Sequence, residues 1–373
     1  SPATQDKSAL ARVELSISDG GGNYYQGSQA GGFSPGELWR PTELAGAVDG
    51  IVNWQYPGAT GDQIPLWQHG VQFTVRTRAV DRTGNIEIPQ SFAFRYDAEI
   101  PTTTVSAPFN AQYIIAFSSA SGPFEEPAPP SESGMSVVAV AVKDPLGNFW
   151  NGAAFDAYNA GVSWRPAAIH SSSWSLVDNA LAVNLAAQSV PKTYTLYMRG
   201  VDGAGNENRS TALAPVTGAS PFQVDSSSPV SKATAPADGG FIRGVVTPIA
   251  GTADDQSLNP TPGAGMNEVR LKAVRIDSVN DRRYWNGNDW TATVDQGFNL
   301  PTTLVGGAQS IVEVKSQGAS LPESAFPNGY RYELTARGVD LLGNTEGGVT
   351  TVSFIVDKST PTTTVLRPGA ASL

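Results

Sequence analysis

Aspartate is the residue whose spacing in this chain could do chemistry. It recurs near the end of three similar strings. They are Phe73-x-Val75-x-Thr77-Arg78-Ala79-Val80-Asp81-x-x-Gly84-Asn85, Tyr194-x-Leu196-x-Met198-Arg199-Gly200-Val201-Asp202-x-x-Gly205-Asn206 and Tyr332-x-Leu334-x-Ala336-Arg337-Gly338-Val339-Asp340-x-x-Gly343-Asn344. A second set, Asp97, Asp225 and Asp357, ends the strings Phe92–Asp97, Pro221–Asp225 and Ser353–Asp357, and Asp254-Asp255 follows Ile249–Ala253. Carboxylate and amide oxygens suit hard cations such as calcium, which takes roughly six to eight of them. The same residues also serve turns, because an Asp side chain accepts from nearby backbone amides and Asn tolerates a left-handed conformation. Arg78, Arg199 and Arg337, three residues before each turn Asp, offer a third use for the carboxylates, as ion pairs. No Asp-x-Asp string of EF-hand type accompanies them.

Composition removes other chemistries. Among 373 residues there is no Cys, which excludes disulfides, thiolate catalysis and Cys-type zinc sites. The two His, His69 and His170, recur at no matching position and read as surface loop residues. The formal charge of −10 leaves no basic face for nucleic acid. No apolar run is long enough for a membrane helix. Gly32-Phe33-Ser34-Pro35-Gly36 fits Gly-x-Ser-x-Gly, but a nucleophile elbow needs a helix after the Ser, and Pro35 stands there instead. Glu125-Glu126 lies in the Pro-rich insert Pro123–Pro130 and reads as solvated loop. The aromatic pairs Tyr24-Tyr25, Phe149-Trp150 and Tyr284-Trp285 can be sugar platforms, or can pack one ring inward and lay the other on a sheet.

The elements that position these residues are strands. Apolar residues alternate at period two through each repeated string, and Asp-x-x-Gly supplies a type I turn with Gly at the left-handed position. Val13–Ile17, Val137–Val142 and Val269–Ile276 are strands preceding the aromatic hairpins. Long helical periodicity is missing. Pro follows each terminal Asp closely, at Pro101, Pro229 and Pro361, and Pro101–Val105 and Pro361–Val365 are the same string. An Asp, a Pro and a β-branched run read as a linker and the first strand of a new unit. The interval from Pro2 to Asp19 is much shorter than that from Pro101 to Asp144 or from Pro229 to Asp277. The expected units are therefore 1–97 without its first strands, 98–225 with the Pro/Glu-rich insert, 226–357, and 358–373 as a linker and the first strand of another. The chain reads as a window on a longer array.

The string Tyr-x-Leu-x-x-Arg-x-x-Asp-x-x-Gly-Asn, together with Ile249–Asp255 and the Trp-Asn-Gly hairpins, resembles bacterial Ig-like and fibronectin type III-like tandem repeats of large secreted or cell-surface proteins. The resemblance implies an all-β chain of antiparallel Ig-like or fibronectin-like β-sandwiches in an extended array. It implies a non-enzymatic structural or adhesive segment, a stalk or fibre, of a large bacterial surface or secreted protein at an extracellular or cell-surface location. The partners it implies are neighbouring repeats, like molecules, or a surface glycan or protein. The alternatives are a carbohydrate- or protein-binding accessory module, and a filament in which Pro361–Val365 of one molecule completes the first unit of the next. In such a topology each terminal Asp meets the turn of the following unit. Asp97 is then expected near Asp202 and Asn206, and Asp225 near Asp340, Asn344, Asp254 and Asp255. Two readings of these clusters stand, an interdomain calcium clamp as in cadherin-like arrays and simple turn capping.

Overall fold

The computed structural model describes residues 9–48, 51–58, 61–126, 133–208, 220–246, 249–256, 260–305, 311–316 and 321–365. The chain is all-β, with mainly antiparallel sheets and, among the described residues, one α-helix of eight residues. One element pairing recurs in three regions. Leu10–Asp19 pairs with Gln72–Asp81, Met135–Lys143 with Lys192–Asp202, and Met266–Ser278 with Arg331–Asp340, always antiparallel. Each pair carries a register shift at the same place, between Leu10 and Arg12, Met135 and Val137, and Met266 and Glu268. The inward set of alternating residues is apolar. Val138, Val140 and Val142 face Leu196 and Met198 in the second region, and Val269, Leu271 and Ala273 face Leu334 and Ala336 in the third.

The last strands add to this pair. Gln90–Arg95, Ser220–Val224 and Thr351–Val356 each lie antiparallel to the repeated string. In the second and third regions a further short strand runs parallel to the last one: Gln112–Ile114 beside Ser220–Val224, and Gly240–Ile242 beside Thr351–Val356. A second layer closes the core of both these regions. In the second region it comprises Thr102–Thr103, Ala120–Glu125, Ser173–Leu176 and Ala168–Ile169. In the third it comprises Val230–Ala235, Ala250–Asp254, Ile311–Ser316 and Leu300–Val305, the last of which also pairs with Met266–Ser278 and merges both layers into nine strands. In the first region the other described sheet is the hairpin Glu43–Val48 and Ile51–Gln55, whose Leu44 and Trp54 stay exposed outside the buried cluster. That region's fully buried cluster is correspondingly small, Leu15, Ile17 and Tyr25, and Phe92 on the last strand stays 67% exposed.

Three details differ from the expectation. Asn179–Ala186 forms a helix whose Asp178 side chain accepts from the Leu181 amide, and Leu181 and Leu185, one turn apart, enter the core. The Pro-rich stretch begins as a strand, Ala120–Glu125, while 127–130 lie outside the described residues. Pro361–Val365 is exposed and takes no strand, and 366–373 lie outside the described residues.

Candidate metal centre

The repeated Asp turn is built identically three times. The Asp81, Asp202 and Asp340 amides donate to the carbonyls of Asn85, Asn206 and Asn344, each at 3.1 Å. The Asp Oδ1 atoms accept from the amides of Asn85, Asn206 and Asn344 at 2.8 Å. The left-handed residue is the glycine, at φ 89°, 95° and 90° for Gly84, Gly205 and Gly343. The Asn side chain has a different task from the expected left-handed backbone: its Nδ2 donates to the Asp Oδ2 at 2.7 to 2.8 Å.

In the second and third regions this turn meets the end of the preceding last strand. Asn206 Nδ2 also donates to the Asp97 carbonyl at 3.2 Å, and Asn344 Nδ2 to the Asp225 carbonyl at 3.1 Å. The terminal Asp side chains accept in turn from the next region. Asp97 Oδ2 accepts from the Ser133 amide at 2.9 Å, and Asp225 Oδ2 from the Ala264 amide at 2.8 Å. Each junction thus has five hydrogen bonds of the same design: three within the Asp–Asn turn, and two between the regions.

A third carboxylate completes each cluster. At the first junction Asp97, Asp202 and Glu126 each bring one carboxylate oxygen within 4.8 Å of the others; at the second Asp225, Asp255 and Asp340 do so. Glu126 follows the strand Ala120–Glu125 as Asp255 follows Ala250–Asp254, so the two acids hold corresponding places. The solvated-loop reading of Glu126 is corrected: it is half-buried and enters the cluster. Asp254 is half-buried and lies outside its cluster, because successive residues of a strand face opposite ways.

Burial separates the junctions. Asp97 and Glu126 are half-buried, and His69 Nδ1 lies 3.3 Å from Asp97 Oδ1. Burial raises the Asp97 carboxyl, but hydrogen bonds from Ser133 and Glu99 and the field of His69 outweigh it and hold it below the usual range. His69, expected as a loop bystander, therefore belongs to this junction. Asp225, Asp255 and Asp340 are all 0% exposed. Among the described residues no Lys, Arg or His forms an ion pair with any of the three. Two unit charges about 4 Å apart repel by about 4 kcal/mol at an effective dielectric constant near 20. Burial first, and then the charges of Asp225, Asp340 and Asp254, push the Asp255 carboxyl up to about 6, against the pull of the Gly265 amide.

The arginines do not neutralise the turns. Arg78 pairs with Glu14 at 2.7 Å, Arg199 pairs with Glu207, and Arg337 lies 4.6 Å from the centroid of the Phe298 ring. Two glycines absent from the sequence reading shape the second junction. The Gly265 amide donates to Asp255 Oδ2 at 2.7 Å, and a Cβ on Gly263 would fall 2.4 Å from that oxygen. The string Gly263-Ala264-Gly265 was the available signal.

The other candidates resolve to packing. Tyr25, Trp150 and Trp285 are buried, and Tyr24, Phe149 and Tyr284 half-buried, so the paired rings form no exposed platform. Trp290 Nε1 donates to the Ala325 carbonyl inside the core. Ser34 sits in the short strand Phe33–Pro35 with no helix after it. His170 Nε2 lies 3.0 Å from Ser175 Oγ on the surface.

No family model and no curated protein matches the chain. Three solved structures are similar to it at low identity. The FN1–FN3 domains of chicken CNTN1 are 10% identical with a TM-score of 0.24, covering 95% of this chain and 91% of that one. The fibronectin(III)-like modules of Clostridium thermocellum CbhA are 13% identical with a TM-score of 0.23, covering 69% and 94%. The Escherichia coli adhesin FdeC is 11% identical with a TM-score of 0.34, covering 93% and 87%. The fold assignment here rests on the strand registers themselves. Among the described residues no helix is long and apolar enough to cross a membrane.

Proposed function

We propose that the chain is a non-enzymatic structural segment of a large secreted or cell-surface protein, a stalk that sets distance and orientation. Its units are 1–97, 98–225 and 226–357. The observation that carries this reading is the repeated junction. A linker with free play has few bonds across it, whereas here the same Asn-to-carbonyl and amide-to-carboxylate bonds join both pairs of regions. Tyr113 of the second region adds a hydroxyl contact to the Pro262 carbonyl of the third, at 3.4 Å. Each sandwich keeps its own core, so stability is mostly local and length comes from repetition. The formal charge of −10 favours solubility of such a rod. Small-angle scattering tests it: a rod-like distance distribution with a long tail is expected, and a compact, single-peaked distribution contradicts it.

A filament reading has one observation behind it. Pro361–Val365 repeats the string that carries Thr102–Thr103 rather than the edge strand Gln112–Ile114, so in a second copy it would supply the second-layer strand matching Thr102–Thr103, of which the first region has none among the described residues. Sedimentation decides: concentration-dependent polymers lost on deleting 361–365 support it, and a monomer at all concentrations ends it.

A further inference from the structure

We propose that the pocket formed by Asp225, Asp255 and Asp340 at the second junction is a calcium site. This stands on the local geometry and holds whether or not the chain is a stalk. Three fully buried carboxylates converge within 4.8 Å, and among the described residues no cationic side chain pairs with them. A second observation points to a ligand. Asp255 directs its carboxylate into the cluster, and its Oδ1 is buried with no hydrogen-bond partner. A buried, unpaired carboxylate oxygen is costly, and a protein keeps one where something else satisfies it.

The surrounding bonds hold the cluster in shape. Ser227 donates its amide and hydroxyl to Asp225 Oδ1, Ala264 donates to Asp225 Oδ2, and Gly265 to Asp255 Oδ2. Leu342 and Asn344 hold Asp340 Oδ1, and Asn344 Nδ2 holds Asp340 Oδ2. An oxygen accepting one such bond retains a lone pair for a metal. The donor set is oxygen only, with no imidazole or thiolate, which disfavours zinc and copper. Magnesium keeps most of its water and prefers few protein ligands, whereas calcium accepts several carboxylates and carbonyls in irregular geometry. Calcium here would bind the terminal Asp of the second region to two acids of the third and so fix the junction.

The competing explanation for the same geometry is a proton: one carboxyl stays neutral and bonds to a neighbour. Three readouts on the whole chain separate the two. Calorimetry with calcium after chelator treatment measures binding directly. Thermal unfolding with calcium, magnesium or chelator measures linkage. Terbium emission sensitised by Tyr113, whose hydroxyl lies 3.4 Å from the Pro262 carbonyl next to Gly263, reports location. The site predicts calcium binding, a melting temperature raised by several degrees in calcium but not in equal magnesium, and terbium emission lost in Tyr113→Phe. In Asp255→Asn the affinity at this site should fall on the order of tenfold or more, with the calcium shift of the third region lost. No heat of binding and no melting shift in the wild-type chain would overturn the proposal in favour of the proton. Calcium binding unchanged in Asp255→Asn would equally overturn it, since the ion would then be elsewhere.

Discussion

At the first junction Asp97 has a histidine beside it and is only half-buried; at the second Asp225 is sealed from water and has no cationic partner among the described residues. The hydrogen-bonded frame is otherwise the same, down to Asn206 and Asn344 donating to the preceding terminal carbonyl. The frame is therefore a joint common to both places. What differs is the third acid and its cover. Glu126 is half-buried, whereas Asp255 is enclosed by Gly263 and Gly265. One architecture has been kept while the local charge balance changed, and that balance sets which junction needs a cation.

Substitutions can break this comparison. The largest effect is expected from Asp340→Ala, measured in calcium. Three donors around a buried carboxylate lose their acceptor, and urea unfolding of the third region should show a loss of about 3 kcal/mol or more. The matching change Asp81→Ala, in an exposed turn with the same bonds, should cost about 1 kcal/mol or less. Gly263→Ala comes next. Its Cβ would fall 2.4 Å from Asp255 Oδ2 and 2.5 Å from the Asp255 carbonyl, so a loss of about 1–3 kcal/mol is expected with calcium binding impaired. Asp255→Asn should raise the stability of the calcium-free chain by on the order of 1 kcal/mol, because a like charge is removed. Glu126→Gln at the first junction should stay within about 0.5 kcal/mol. A similarly small effect is expected from His69→Ala, below about 0.5 kcal/mol, since its contact with Asp97 is partly exposed. Equal responses to Asp255→Asn and Glu126→Gln would erase the distinction between the junctions.

Much of this was legible in the sequence because it depends on short-range rules. Period-two strands, the Asp-x-x-Gly-Asn turn and the terminal Asp before Pro are local patterns, and repetition made each one visible three times. The meeting of Asp97 with Asp202 and of Asp225 with Asp340 followed from the topology those patterns imply. What stayed hidden depends on three-dimensional cover. Glu126 carries a Pro-rich neighbourhood that looks solvated, yet its place after a strand turns it toward Asp97. Asp254 and Asp255 are indistinguishable in the sequence, and strand alternation alone sends one in and leaves the other out. The arginines beside the turn aspartates looked like their partners, but they reach Glu14, Glu207 and the Phe298 ring instead. The helix Asn179–Ala186 is too short for a periodic signal, and is held by a cap and two buried leucines.

Because the chain has no cysteine, two spin labels can be placed on it without competition. Val183 and Val279 are 71% and 95% exposed, one in the second region and one in the third. Pulsed dipolar spectroscopy on Val183→Cys/Val279→Cys, with calcium and with chelator, measures the second junction directly. The account predicts a narrow distance distribution in calcium that broadens on chelation; a distribution equally broad in both conditions would contradict it.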